Sequence, residues 1–133
     1  MSIVEKEPTW LSIAQVLMLH AESLKLFGGS PGIRDRGLLE SALGRPQNRW
    51  HYEQPISLFE LAAAYAFGIA KNHAFVDGNK RTSLLAIRSF LFVNGYRFSP
   101  DEIETVTTIE GLAEGTVTEE ILALWIRDNS TKR

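Results

Sequence analysis

The sequence predicts an all-α domain, a compact bundle of five to six helices, and three observations carry that expectation. Serine followed three residues later by Gln or Glu opens two apolar-periodic stretches, Ser12 with Gln15 and Ser57 with Glu60, which is the capping-box signature of a helix start. The run from Leu61 to Ala70 is apolar or small on every side, as befits a helix at the centre of a bundle. No two runs of alternating character joined by turn residues make a convincing strand pair.

The first helix is expected over roughly 12–27, with Ile13, Val16, Leu17, Leu24 and Phe27 at helical spacing and Gly28-Gly29 as its stop. Ser30-Pro31-Gly32 is turn chemistry, and Asp35 can cap a short helix through Leu38, Leu39, Ala42 and Leu43 that ends at Gly44-Arg45-Pro46. Residues to Pro55 show no period and hold Trp50, His51 and Tyr52, so a loop or short hairpin flap with an aromatic tip is expected there. The central helix runs from the Ser57 cap to about Asn72, and after a break at Val76-Asp77-Gly78 another spans about Asn79 to Asn94, stopped by Gly95. Tyr96-Arg97-Phe98 reads as an extended link. Ser99, Pro100, Asp101 and Glu102 read as N-cap, first-turn proline and acids on the positive dipole end of a helix to about Glu114. A last helix is expected over about 118–129.

At 133 residues, 44% hydrophobic and 23% charged, the chain is expected to form one domain over 1–133. Surface scaling leaves roughly 7,000 Å² exposed, with about two-thirds of the unfolded surface buried. Zero cysteines exclude disulfide scaffolds, iron–sulfur clusters and thiol nucleophiles, so the expected compartment is cytoplasmic. A net charge of −2 with pI near 5.9 argues against direct binding of nucleic acid or an anionic membrane by bulk charge. The segment MSIVEKEPTW shows no signal-peptide pattern, and no apolar run approaches the roughly 20 residues of a membrane span.

The charge is unevenly distributed. Residues 71–97 hold five Lys and Arg against Asp77, a net of +4, whereas 101–128 hold eight acids against Arg127, a net of −7. The acidic stretch reads as solvated helix faces. The basic one clusters around His73-Ala-Phe-Val-Asp77-Gly78-Asn79-Lys80-Arg81-Thr82, where one helix ends and another begins. The first turn of a helix presents unpaired N–H groups and partial positive charge, an anion site to which Lys80 and Arg81 add two cations. A polyphosphate fits it best. Asp77 beside such a site reads as a ligand for Mg²⁺ bridging carboxylate and phosphate, and His73 as a base able to take a proton from a hydroxyl. Phe75 is expected to pin the loop into the core, and His20, on the apolar stripe of the first helix, to be a hydrogen-bonded core histidine. With no other set of His and carboxylates at ligand spacing, zinc is not expected.

These residues resemble the signature of the Fic/Doc superfamily, whose general form is His-x-Phe-x-(Asp/Glu)-(Gly/Ala)-Asn-(Gly/Lys)-Arg. Lys80, where adenylylating Fic enzymes have glycine, makes the chain most similar to the Doc (death-on-curing) toxins, although Gly78 is shared with many adenylylating relatives. Gly28-Gly29-Ser-Pro31-Gly32, the segment Glu40 to Pro46, and Asn94-Gly95-Tyr96 extend the likeness over about 10–98. The resemblance implies a toxin of a toxin–antitoxin pair that transfers phosphate from ATP, with Mg²⁺, to a Ser or Thr hydroxyl of a translation factor such as elongation factor Tu. It implies that His73 is the base, that Asp77 holds the metal, and that Gly78, Asn79, Lys80 and Arg81 bind phosphates. A long cation at position 80 would fill the space of the α- and β-phosphates, so that ATP docks reversed with its γ-phosphate toward His73. The alternatives are adenylylation by the same loop, or a catalytically silent module that only binds its antitoxin. Self-inhibiting relatives carry Ser/Thr-x-x-x-Glu-Gly/Asn; Glu110-Gly111 and Glu114-Gly115 have Val106 and Glu110 at the hydroxyl position, so inhibition is expected from a Phd-like antitoxin in a groove near the loop. Trp50, His51 and Tyr52 would lie in the target-docking flap.

Overall fold

The computed structural model describes residues 6–133, and the all-α expectation holds. Six helices are present among the described residues: α1 (Ile13–Phe27), α2 (Arg36–Tyr52), α3 (Leu58–Asn72), α4 (Asn79–Val93), α5 (Glu102–Glu114) and α6 (Glu119–Asp128), with short strands β1 (Tyr96–Phe98) and β2 (Ser130–Lys132). The exposed area, 7195 Å², matches what its mass predicts.

The apolar run makes α3 the centre. Leu61, Ala62, Ala63, Tyr65, Ala66, Ile69 and Ala70 are fully buried, and α2, α4 and α6 pack around them. Small residues set the spacing: a Cβ on Gly68 would lie 3.0 Å from Ala42 Cα and 3.2 Å from its carbonyl oxygen, so α2 and α3 touch backbone to backbone. Ser12 and Gln15 form the expected capping box on α1. At α3 only half of one forms: Ser57 Oγ accepts from Glu60 N, while the Ser57 hydroxyl donates to the Glu60 carboxylate.

Three boundaries differ from expectation. α2 does not stop at Gly44-Arg45-Pro46 but runs on to Tyr52, so Trp50, His51 and Tyr52 lie on its last turn and not at the tip of a loop or hairpin; only 53–57 connects it to α3. A proline inside a helix costs about 3 kcal/mol through its missing donor and ring clash. Here Leu39, Ala42, Leu43 and Pro46 are buried together, and α2 is tied to α6 beyond the proline. Arg45 and Arg49 both hydrogen-bond the carboxylate of buried Glu119, with Arg49 Nη1 at 2.7 Å, and Arg49 also donates to the Glu60 carbonyl. Glu119 is thus an exception to the solvated acidic faces. Tyr96–Phe98 is a strand, paired antiparallel with 130–132 in the register Tyr96↔Lys132 and Phe98↔Ser130. The cap of α5 is Asp101, accepting from Glu104 N, which leaves Ser99 to donate to Asn129 O and Pro100 outside the helix.

Candidate active site

The loop joining α3 to α4 is built from both ends. His73 ends α3 in the left-handed conformation, φ 49° and ψ 47°, the only non-glycine residue with positive φ among the described residues. Phe75 turns inward and is buried, as expected, and its ring stacks on that of His20 at 3.8 Å and 9°. Asn79 brackets the Phe75 backbone: its Oδ1 accepts from Phe75 N and its Nδ2 donates to Phe75 O. His20 is the hydrogen-bonded core histidine foreseen, and its partner is the loop itself, since Nε2 donates to the Asp77 carbonyl at 2.8 Å.

A segment after α1 lies along the loop. Ile33 and Phe75 form an antiparallel bridge, with Val76 N donating to Gly32 O and Arg34 N to Ala74 O. Gly29 faces the Asp77 carboxylate so closely that a Cβ there would sit 2.8 Å from Oδ2. The same Oδ2 accepts from Ser30 N at 3.1 Å and Oδ1 from Gly78 N at 2.8 Å. The Ser30 N–H, then the Gly78 N–H, and the nearby charge of Arg81 hold the carboxyl below the usual aspartate value.

α4 begins differently from its neighbours. The other five helices are capped by Ser12, Asp35, Ser57, Asp101 and Thr118 side chains, whereas Gly78, at φ 77°, begins α4 with no side-chain cap. No side-chain cap therefore occupies its first turn, which begins beside the ionised Asp77 and carries the exposed Lys80 and Arg81. The Arg81 guanidinium stacks over the exposed Phe27 ring at 4.6 Å, and Lys80 Nζ lies 4.0 Å from the Glu110 carboxylate on α5.

His73, Asp77, Gly78, Lys80 and Arg81 thus share one exposed loop and helix start. Asn79 is there too, but its side chain is buried and hydrogen-bonded on both Oδ1 and Nδ2 to the Phe75 backbone, which makes it a brace of the loop. Of the three aromatics on α2, Trp50 is half-buried against Trp10, and Tyr52, exposed, lines a groove of about 320 Å³ with Arg45, Arg49, Phe67 and Asn72. Sequence reasoning passed over Ser30, Arg34 and Phe27 as contributors to the site. The signal that could have found the segment was its glycines: Gly28, Gly29 and Gly32 all take positive φ. Among the described residues no group of three or more His, Cys, Asp or Glu could hold a metal ion by itself.

A helical bundle that presents a His-to-Arg loop over an uncapped helix start defines a class, and the family comparison agrees: the Fic/DOC family model matches residues 10–91, and the chain belongs to that family. Within it, the chain is 37% identical over 108 residues to the protein kinase doc of Escherichia phage P1, covering 80% of this chain and 84% of that protein. It is 43% identical over 76 residues to the toxin Doc of Mycolicibacterium smegmatis, covering 56% of this chain and 58% of the relative. No helix among the described residues is long and apolar enough to cross a membrane.

Proposed function

We propose that this protein is the toxin of a toxin–antitoxin pair, a Mg²⁺- and ATP-dependent phosphotransferase that modifies a Ser or Thr hydroxyl of a translation factor of the elongation factor Tu kind and so blocks translation. The observation that carries this reading is the start of α4. An uncapped first turn, Lys80 and Arg81 lie one step from an ionised carboxylate and an exposed imidazole. Phosphoryl transfer asks for charge stabilisation and positioning more than covalent chemistry, and these are the groups it uses.

Asp77 fits Mg²⁺. Each carboxylate oxygen accepts one backbone N–H and keeps a lone pair directed elsewhere, and Mg²⁺ is commonly held by one carboxylate together with phosphate oxygens. The metal, when bound, supplies positive charge that offsets the charge on the phosphates. The first-turn N–H groups, Lys80 and Arg81 hold phosphate oxygens, and Lys80 biases the γ-phosphate toward His73. His73 takes the proton of the target hydroxyl as its oxygen bonds to the γ-phosphorus, and the bond from that phosphorus to the departing ADP oxygen breaks. Tyr52, in a groove whose lining includes Asn72, the residue before His73, is the aromatic of the three best exposed to meet a target. The antitoxin segment would lie in the apolar groove of about 700 Å³ between α1 and α4, lined by Leu11, Met18, Leu26 and Val93.

Replacing His73 with Ala tests the reading. Growth arrest should disappear while antitoxin binding persists; arrest that survives the substitution would remove His73 as base and leave a module acting by binding alone.

A further inference from the structure

We infer that Arg34 is a positioning residue for His73, one that fixes the left-handed end of α3 and through it the direction of the imidazole. Three consecutive carbonyls at the end of α3 accept from this one residue. Arg34 Nη2 donates to Asn72 O at 3.0 Å, its Nε to His73 O at 2.7 Å, and its backbone N–H to Ala74 O at 2.7 Å. The last carbonyls of a helix have no partner within the helix and carry its negative end, so a guanidinium there satisfies both needs.

The need is acute at this helix end. A left-handed conformation is disfavoured for any residue with a Cβ and persists only where its surroundings impose it. Most helices that end this way place glycine there, which relieves the strain. His73 cannot be glycine if its side chain is the working group, so the conformation must be held from outside. Arg carries its N–H groups in a rigid planar fork that meets two neighbouring carbonyls at once, whereas the Lys ammonium is a point charge on a flexible stem and fixes neither carbonyl's direction. The rest of the loop has other anchors. Phe75 is held by Asn79, and Asp77 by His20 and Ser30, none of which touches the backbone of residue 73. Removing the Arg34 side chain should therefore release His73 and leave Asp77 and the start of α4 in place.

The inference rests on His73 being the base, and the experiment separates the two. Full-length wild type, R34A, R34K and H73A are compared by the rate of ATP-dependent inactivation of a cell-free translation extract, by calorimetric binding of Mg·ATP, and by the backbone chemical shifts of His73 and Asp77. R34A should slow inactivation about 10- to 100-fold, the scale of a small misplacement of a reacting group. Mg·ATP affinity and Asp77 shifts should stay as in wild type, and His73 shifts should leave their left-handed values. Added guanidinium should restore part of the rate, and R34K should fall between. Wild-type His73 shifts or a wild-type rate in R34A would overturn the inference, as would R34K indistinguishable from wild type, the variant that decides if R34A does not fold. Undiminished activity of H73A would instead overturn the reading of His73, and the His73 shifts would still judge Arg34.

Discussion

Gly29 and Asp77 face each other with no room for a side chain between them, and Gly29 sits at φ 122°, a conformation that L side chains rarely adopt. Gly29→Ala should therefore lower stability by about 1–3 kcal/mol from the backbone alone, read from urea unfolding, and should weaken Mg²⁺-dependent nucleotide binding by pushing the carboxylate aside. The carboxyl of Asp77 is held low chiefly by the Ser30 N–H. A lowered folded value means that the ionised form is favoured in the native loop, with the effect present above the ordinary aspartate range and lost as pH falls through the lowered value. In a pH titration followed at the Asp77 side-chain carbon, the midpoint should lie below that of a free aspartate; a midpoint at or above it would contradict the hydrogen bonds described. Tyr65 is the opposite case. Burial pushes its hydroxyl up to about 12, against the smaller lowering effect of the Leu11 N–H that it accepts. Its neutral form is the native one, so stability is intact below pH about 10, where the unfolded phenol titrates, and is lost as pH rises toward 12. Alkaline unfolding curves of Tyr65→Phe should lack that loss.

At the scale of elements, α2 departs most from its sequence pattern, and the reason is tertiary. Gly44 and Pro46 are stop signals in isolation. What carries the helix through them is distant in sequence: Gly68, which lets α3 approach Ala42, and Glu119, which binds Arg45 and Arg49 from α6. Neither can be read from residues 36–52. Glu119→Ala should cost about 2–3 kcal/mol, somewhat less than a fully buried pair because the Arg45 side chain is 42% exposed. Gly68→Ala should cost about 1–3 kcal/mol by wedging the two helices apart. Thermal unfolding measures both, and a neutral Gly68→Ala would mean that the α2–α3 contact is looser than described. The strand pair was illegible for a similar reason, since three-residue strands separated by residues 99–129, with Phe98 and Ser130 pairing at their facing ends, carry no local period. By contrast α1 and α3 were legible because caps and apolar pattern agree.

For the molecule as a whole, the candidate site was more legible than the scaffold around it. His73 to Arg81 are contiguous, so their chemistry is visible in one stretch, while the brace formed by His20, Gly29, Ser30 and Arg34 comes from a segment about 40 to 60 residues away and appears only when the fold joins them. Of the charges behind the net of +4 in residues 71–97, Lys80 and Arg81 fall in the first turn of the uncapped helix, and Glu110, from the acidic stretch, reaches back to Lys80. The exposed Met18 and Leu26 of the α1–α4 groove should matter to antitoxin binding and not to catalysis. Met18→Glu with Leu26→Glu is expected to weaken capture of the antitoxin at unchanged toxicity. The most direct test of the central claim follows the phosphorus. The protein is incubated with Mg²⁺, a translation extract and ATP labelled at either the γ- or the α-phosphate, and labelled protein is counted. Label from the γ-phosphate should appear on one translation factor with wild type and not with His73→Ala. Label from the α-phosphate in its place would make the protein an adenylyltransferase, and label from neither would contradict group transfer altogether.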